Sequence, residues 1–368
     1  MNKACYMVLY GPLETDARVL RSIGVFNAIK KPVTIFTCNT RPGYEAGDNV
    51  EIVNVALKVG MLGYLYFCLR VFLYFLFNLR KFDLVYLQDF YSTVPGLLFH
   101  PFCRKKLIIY DAHELILPKD GEELSFRDKV FVKAEKKLCK KVFYTIEANQ
   151  EREDIFKERY NLENVSHVLN ISKLSFSAIK RELHEDNITL VYQGVVAKER
   201  RLSFFVQCLA KLPDRYKMMI IGDGDALNEL KELAETLNVS SRITFTGRLS
   251  NDEMLKKLEQ CHIGIIAYPM TSLNNIYCSP NKIFEYSAQA LPFLATEQPF
   301  FKNVQERYGI GRVYHNDDVA SFTQETEELV ANYDKCCEGF QAFLAEYSYD
   351  KEMERLASII TKAIAASA

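Results

Sequence analysis

Tyr277 to Thr296, Y-C-S-P-N-K-I-F-E-Y-S-A-Q-A-L-P-F-L-A-T, reads as a loop, a helix and a strand in succession. Pro280 suits the first turn of a helix, where its missing N–H has no partner to lose, and Ser279 stands where an N-cap belongs. Ile283, Phe284, Tyr286 and Ala290 supply an apolar face, and Pro292 ends the helix before the apolar run Phe293–Ala295. A helix start presents unpaired N–H groups and the positive end of the dipole, so it suits a phosphate. Lys282 adds a full charge in the first turn. Glu285 follows three residues later, close to one turn away, where a carboxylate can accept hydrogen bonds from a sugar hydroxyl. The alternative for this stretch is an ordinary capped helix with a salt-bridged glutamate.

Outward from this stretch, short apolar runs alternate with helical patterns along almost the whole chain. Strands are expected at 3–10, 33–37, 50–53, 84–87, 107–110, 142–146 and 165–169, and again at 188–192, 216–221, 243–245 and 263–267. Helices fall between them, and a long one is expected at 318–346 before a last amphipathic one at 350–366. Such alternation predicts α/β architecture with parallel sheets: two doubly wound Rossmann-like domains facing a cleft. The polar, irregular stretch 173–187 reads as a linker between domains at 1–172 and 188–346, with 347–368 crossing back to the first domain.

Composition narrows the function classes. The chain has 368 residues, 49% hydrophobic and 25% charged, with a net charge of −1. A near-neutral balance without a basic stripe speaks against nucleic acid as a partner. Ten cysteines with no C-x-x-C pair give neither a zinc framework nor a disulfide framework, and reduced thiols fit a cytoplasmic protein. The opening M-N-K-A-C-Y-M-V-L-Y-G has too short an apolar run for a signal peptide and reads as the first strand.

Residues 61–79, M-L-G-Y-L-Y-F-C-L-R-V-F-L-Y-F-L-F-N-L, are long enough to span a bilayer. The strand expected at 84–87 must nevertheless join the sheet begun at 3–10, and a single crossing would separate the two. The run therefore reads as a sheet-covering helix whose outer face is also apolar, a candidate membrane-surface contact. Lysines 129, 133, 136, 137, 140 and 141 add a basic face to the same domain.

Loops after the strands hold the remaining candidates. Gly194 ends one strand, with Lys198, Arg200 and Arg201 just before the next helix, a pattern that fits contact with a diphosphate. Gly222 and Gly224 end the next strand. In the first half, Gly11 ends strand one, Asp16 opens a helix, and His113-Glu114 follow a strand end. No grouping reads as a metal site, and Asp223 and Asp225 read as turn and cap residues. There is no Walker loop, no G-x-S-x-G and no first-half G-x-G-x-x-G.

The chain resembles the family-4 glycosyltransferases, of group 1 type. The resemblance rests on S-P-N-K-I-F-E-Y-S-A-Q-A-L-P (279–292), I-I-G-D-G (220–224), F-T-G-R-L-S-N-D-E-M (245–254), Y-D-A-H-E-L (110–115) and T-D-A-R-V-L (15–20), in that family's order. It implies the GT-B architecture and a retaining, metal-independent transfer with no cofactor. The donor would be a UDP- or GDP-linked sugar, and the acceptor a glycan or lipid-linked glycan in polysaccharide or glycoconjugate biosynthesis. It further implies that Glu285 binds the donor ribose and that Ser279, Asn281 and Lys282 face the diphosphate. Arg200 or Lys198 would supply the cation after Gly194, where the family's arginine is replaced by Val195. Gly222 and Gly224 would approach the donor. His113 would lie near the acceptor and the donor sugar, Gly11 would bind the donor in the first-domain loop that it shares with Asp16, and Asp16 and Glu114 would be acceptor-side. Tyr277 stands where the family's first glutamate of E-x7-E contacts the sugar. The protein is thus expected in the cytoplasm, on the inner face of the cell membrane. Alternative readings are an inactive membrane-associated nucleotide-sugar-binding subunit and a GT-B nucleotide-sugar epimerase.

Overall fold

A computed structural model of the chain describes residues 3–58, 60–103, 107–118, 123–174, 176–177, 181, 183 and 186–367. Contacts divide it into two units: Met1–Asn170 together with Tyr349–Ala368, and Ile171–Ser348. Parts of the expected linker, residues 175, 178–180, 182, 184 and 185, lie outside the described residues.

The first unit carries seven strands: β1 (Ala4–Val8), β2 (Val33–Cys38), β3 (Val50–Val55), β4 (Phe82–Gln88), β5 (Leu107–Asp111), β6 (Tyr144–Glu147) and β7 (Val165–His167). Their order is β3-β2-β1-β4-β5-β6-β7, and every pairing is parallel. All six residues of β2 are buried. Such near-continuous burial belongs to a sheet with helices on both faces.

Helix Met61–Phe77 covers one of those faces. Tyr64, Phe67, Cys68, Val71 and Phe75 are buried beneath it, and the Tyr6 hydroxyl of β1 donates to the Val71 carbonyl at 3.0 Å. The chain then enters β4, directly beside β1. Among the described residues no helix is long and apolar enough to cross a membrane. The outer side of the helix is nevertheless apolar, with Leu62 83% and Phe77 85% exposed and Leu65, Leu69 and Leu73 also exposed.

The second unit holds β8 (Ile188–Gln193), β9 (Tyr216–Ile221), β10 (Ile243–Gly247), β11 (Ile263–Ile266), β12 (Phe293–Thr296) and β13 (Gly311–Tyr314). The order is β10-β9-β8-β11-β12-β13, again with parallel pairing throughout. Arg181, within the stretch read as linker, is buried against this unit. Its guanidinium donates to the carbonyls of Leu258 and Cys261 at 2.6 Å and of Gln289 at 2.9 Å.

Three expectations are corrected. The single helix at 318–346 is three helices, Val319–Ala331, Tyr333–Glu338 and Phe340–Glu346, broken at Asn332 and Gly339. A helix at Pro299–Tyr308 and strand β13 follow β12, where no element was expected. Pro280, not Ser279, occupies the N-cap of helix Asn281–Ala288.

Helix Tyr349–Ser367 packs on the first unit. Leu356, Ile359, Ile360 and Ala363 join Val19, Ile23 and Phe26 in its core. The Glu352 carboxylate accepts the buried Leu169 N–H at 2.8 Å, fastening the returning chain to the end of β7. Glu352→Ala leaves that N–H unpaired and should cost about 1–3 kcal/mol, lowering Tm by several degrees. Glu354→Ala, at an exposed position of the same helix, should leave Tm within about a degree of wild type. Matching melting curves for the two variants would remove the fastening role of Glu352.

Candidate functional site

In the second sheet the chain leaves β8 for β9 on one side, while β11 pairs on the other. The carboxyl ends of β8 and β11 therefore flank a topological switch point, where open α/β sheets bind ligands. Helix Asn281–Ala288 is set against these strands by Tyr286. That hydroxyl lies 3.3 Å from the Val191 carbonyl of β8 and 3.3 Å from the Ile265 carbonyl of β11. Its ring fills the space beside Gly264, where an added Cβ would come within 2.5 Å of it.

The loops after β8 and β9 interlock through their backbones. Gly194 N–H donates to the Ile221 carbonyl at 2.9 Å and Val196 N–H to the Asp223 carbonyl at 3.0 Å. Gly222 has a φ of +144° and a Cβ there would sit 1.8 Å from the Gly194 carbonyl oxygen, so only glycine fits. The Lys282 ammonium reaches the Gly194 backbone, 3.0 Å from where a side chain at 194 would begin.

Around this junction the structure gathers Arg200, Lys282 and Glu285. The Arg200 guanidinium lies 4.1 Å from the centre of the Tyr268 ring. The Lys282 ammonium is 5.9 Å from the Tyr192 ring and 5.9 Å from the Tyr268 ring. Desolvation lowers the Lys282 pKa; Glu285 opposes that shift and Arg200 adds to it. Desolvation raises the Glu285 pKa, while Lys282 and a hydrogen bond from Gln193 Nε2 act against it. No side chain caps the helix start at Pro280. Its first N–H groups, two cations and a carboxylate can together hold an anion joined to a hydroxyl-bearing group.

Asn281 and Ser279 lie at this helix start, both half-buried. Asn281 Oδ1 and Gln193 Oε1 are buried without a hydrogen-bond partner among the described residues, and both can accept from a ligand. The Lys198 ammonium pairs with the Glu229 carboxylate at 3.7 Å. Tyr277 ends the short helix Leu273–Ile276. Sequence reasoning missed Tyr192, Gln193 and Tyr268. Their positions at the ends of β8 and β11 were the available signal.

In the first unit Asp16 caps helix Ala17–Ala28, accepting from Arg18 N–H at 3.1 Å and Val19 N–H at 3.0 Å. Asp16 Oδ2 is also 3.6 Å from His113 Nδ1, and His113 Nε2 is 2.9 Å from Gln88 Oε1. The Gly11 carbonyl accepts the Thr37 hydroxyl at 2.5 Å, and Glu114 is exposed beside His113. An unforeseen buried pair steadies this loop. Arg18 donates twice to Asp111 Oδ1, at 2.8 and 2.6 Å, and the Tyr86 hydroxyl donates to Asp111 Oδ2 at 2.8 Å. Among the described residues no group of three or more His, Cys, Asp or Glu side chains is disposed to hold a metal ion.

The lowered Lys282 pKa has a measurable sign. The amine is charged below its pKa and gives up its proton at a lower pH than an ordinary lysine. Pyrophosphate affinity, read by calorimetry, should begin to fall at a lower pH than the loss of charge on an ordinary lysine, near about 10.4, would produce. Lys282→Arg stays cationic throughout and should flatten the profile. A flat wild-type profile would take Lys282 out of the anion site.

Residues 187–332 match the family model described as Glycosyl transferases group 1. Alpha-monoglucosyldiacylglycerol synthase of Streptococcus pneumoniae is 24% identical over 230 residues, covering 60% of this chain and 46% of that protein. The chain thus spans about half the length of this curated relative. Among solved structures, Anabaena HepE in complex with UDP and glucose superposes with a TM-score of 0.74 at 13% identity, covering 98% of this chain and 100% of that one. Sucrose-phosphate synthase from Thermosynechococcus elongatus gives a TM-score of 0.73 at 12% identity, covering 99% and 100%. The chain has the GT-B fold of two Rossmann-like units, and the stretch that matches the group 1 glycosyltransferase model lies within the second of them.

Proposed function

We propose that the protein is a retaining, metal-independent glycosyltransferase that moves a sugar from a nucleoside-diphosphate donor to a glycan or lipid-linked glycan. The observation that carries this reading is the uncapped helix start at Pro280, with Lys282 against Gly194, Arg200 beside it, and Glu285 one turn on. The domain match at 187–332 and the UDP-bound structures of HepE support it.

In this reading the donor diphosphate lies at the helix start and the ribose hydroxyls meet Glu285. As the sugar–phosphate bond breaks, charge grows on the leaving diphosphate. Arg200, Lys282 and the helix N–H groups are already fixed where that charge develops, which is how preorganised groups lower a barrier. These cations supply the compensation a metal ion would otherwise give. The acceptor hydroxyl attacks on the face the diphosphate leaves, and its proton passes to the departing phosphate oxygen. His113 serves the sugar and acceptor, Asp16 and Glu114 are acceptor-side, and Gly11 belongs to the loop that closes over the donor.

A thermal-shift screen over nucleoside diphosphates tests the donor site, because a ligand that binds the native state raises Tm. UDP or GDP should raise it by a few degrees at about a hundredfold excess over Kd. Glu285→Ala and Arg200→Ala should each weaken binding about tenfold or more, on the order of 1.4 kcal/mol. If no nucleoside diphosphate shifts the wild type, the transferase reading fails.

The apolar outer side of helix Met61–Phe77 and the lysines of helix Phe126–Cys139 support a peripheral place on the inner face of the cell membrane. The charge-introducing pair Leu62→Glu and Phe77→Glu tests this at exposed positions without disturbing the buried Phe75. Wild type should float with anionic liposomes, and the double variant should stay in the soluble fraction with an unchanged Tm. Equal recovery of both would leave that side of the helix without a membrane role.

A further inference from the structure

The first sheet has its own switch point. The chain leaves β1 for β2 on one side, and β4 pairs on the other. A cavity of about 290 Å³ lies by the segments that follow these two strands, lined by Tyr10, Met61, Tyr64, Tyr91, Arg127 and Phe131. Tyr10 follows β1 and Tyr91 follows β4. The wall is built from interlocked rings. Tyr10 meets Tyr64 at 5.1 Å and Tyr91 at 5.4 Å between centroids, while Phe131 meets Tyr64 at 5.3 Å and Tyr91 at 5.4 Å. The Tyr64 hydroxyl is committed to the Tyr91 carbonyl at 2.8 Å, so it offers its ring rather than its oxygen to a ligand.

Size and charge narrow the occupant. An apolar cavity of ~150 Å³ takes one benzene, so this one holds roughly ten to twelve carbons. The surroundings are oily on one side and cationic on the other. Met61 on the lining is exposed, as are Leu62 and Leu65 on its helix and Phe126 and Val130 on the helix that carries Arg127 and Phe131. Arg127 is 57% exposed on the cavity lining, with its Nε 3.6 Å from Asp128 Oδ1, and Lys133, Lys136 and Lys137 are exposed along the same helix. A glycan would need several fixed polar partners, whereas a hydrocarbon chain ending in an anion needs this combination of aromatic wall and cationic rim.

We propose that this cavity holds the proximal hydrocarbon of a glycan acceptor linked to a lipid phosphate, with the phosphate beside Arg127. The assignment rests on the transferase reading and gives its acceptor a chemical class. The test is calorimetric titration of the full chain with decyl phosphate, geranyl phosphate, 1-decanol and inorganic phosphate, with UDP and GDP titrated into the same samples. A ten-carbon phosphate should bind at least tenfold more tightly than inorganic phosphate. Met61→Glu, at an exposed position, should weaken it at least tenfold while leaving nucleotide affinity and Tm unchanged. Arg127→Gln should reduce decyl phosphate to the affinity of decanol. Tighter binding of the geranyl form identifies an isoprenoid lipid, and tighter binding of the decyl form an acyl lipid. Alkyl phosphate binding no tighter than inorganic phosphate, or unaffected by Met61→Glu, would overturn the assignment. A chain that binds nucleotide but no alkyl phosphate loses only this occupant. One that binds alkyl phosphate but no nucleotide keeps the cavity and loses the transferase role.

Discussion

Tyr286 is the contact on which the candidate donor site depends. It is fully buried, with its ring against Gly264 and its hydroxyl between carbonyls of β8 and β11. A helix of only eight residues has little intrinsic stability, so tertiary packing must hold it in place. With Tyr286 locked to both strands, the first turn is fixed in height and rotation. Lys282 then falls against the Gly194 backbone, and Glu285 meets Gln193 at the end of β8. The charges are thus oriented before any ligand arrives, which is what preorganised electrostatics requires.

That orientation has an electrostatic cost the surroundings partly offset. Lys282 and Glu285 are both desolvated, and each favours the charged form of the other. Arg200 works against Lys282 but rests on the Tyr268 ring, whose negative face attracts a cation. Two cations and one carboxylate leave a local excess of positive charge. A dianionic group would relieve the repulsion between Arg200 and Lys282, so the site is more comfortable occupied by an anion than not.

Much of this was legible in the sequence because its signals are local. Alternating apolar runs and helical patterns reveal parallel sheets, and glycines directly after strands mark where backbone comes close. Gln193 escaped notice because its partner is 92 positions away, and a polar residue ending a strand has no distinctive local signature. The same holds for Arg18 and Asp111, separated by 93 positions and joined only once β5 lies in the sheet. Ser279 looked like a cap because Ser-Pro is a good start signal, yet Pro280 itself takes the extended cap conformation with φ −71° and ψ 148°. The long helix expected at 318–346 broke because periodicity persists across Asn332 and Gly339 even though the backbone does not.

The helix Met61–Phe77 shows how composition misleads where topology decides. Its apolar run reads at first like a bilayer span, but Tyr6 of β1 bonds its backbone at Val71, and the following strand lies beside β1. Burial of Phe67, Val71 and Phe75 accounts for only one side of the apolar content. The remainder has no folding role, since Leu62, Leu65, Leu69 and Phe77 touch solvent rather than core. Exposed apolar side chains in one contiguous row invite association, so their retention needs a reason outside the fold. The start of this helix also lines the aromatic cavity by β1 and β4. The exposed row therefore begins on the helix turn that lines the cavity, and Arg127 stands on the same lining, which is what the tail and headgroup of the proposed anionic lipid would need. That continuity explains the outer side of the helix more economically than two unrelated functions would.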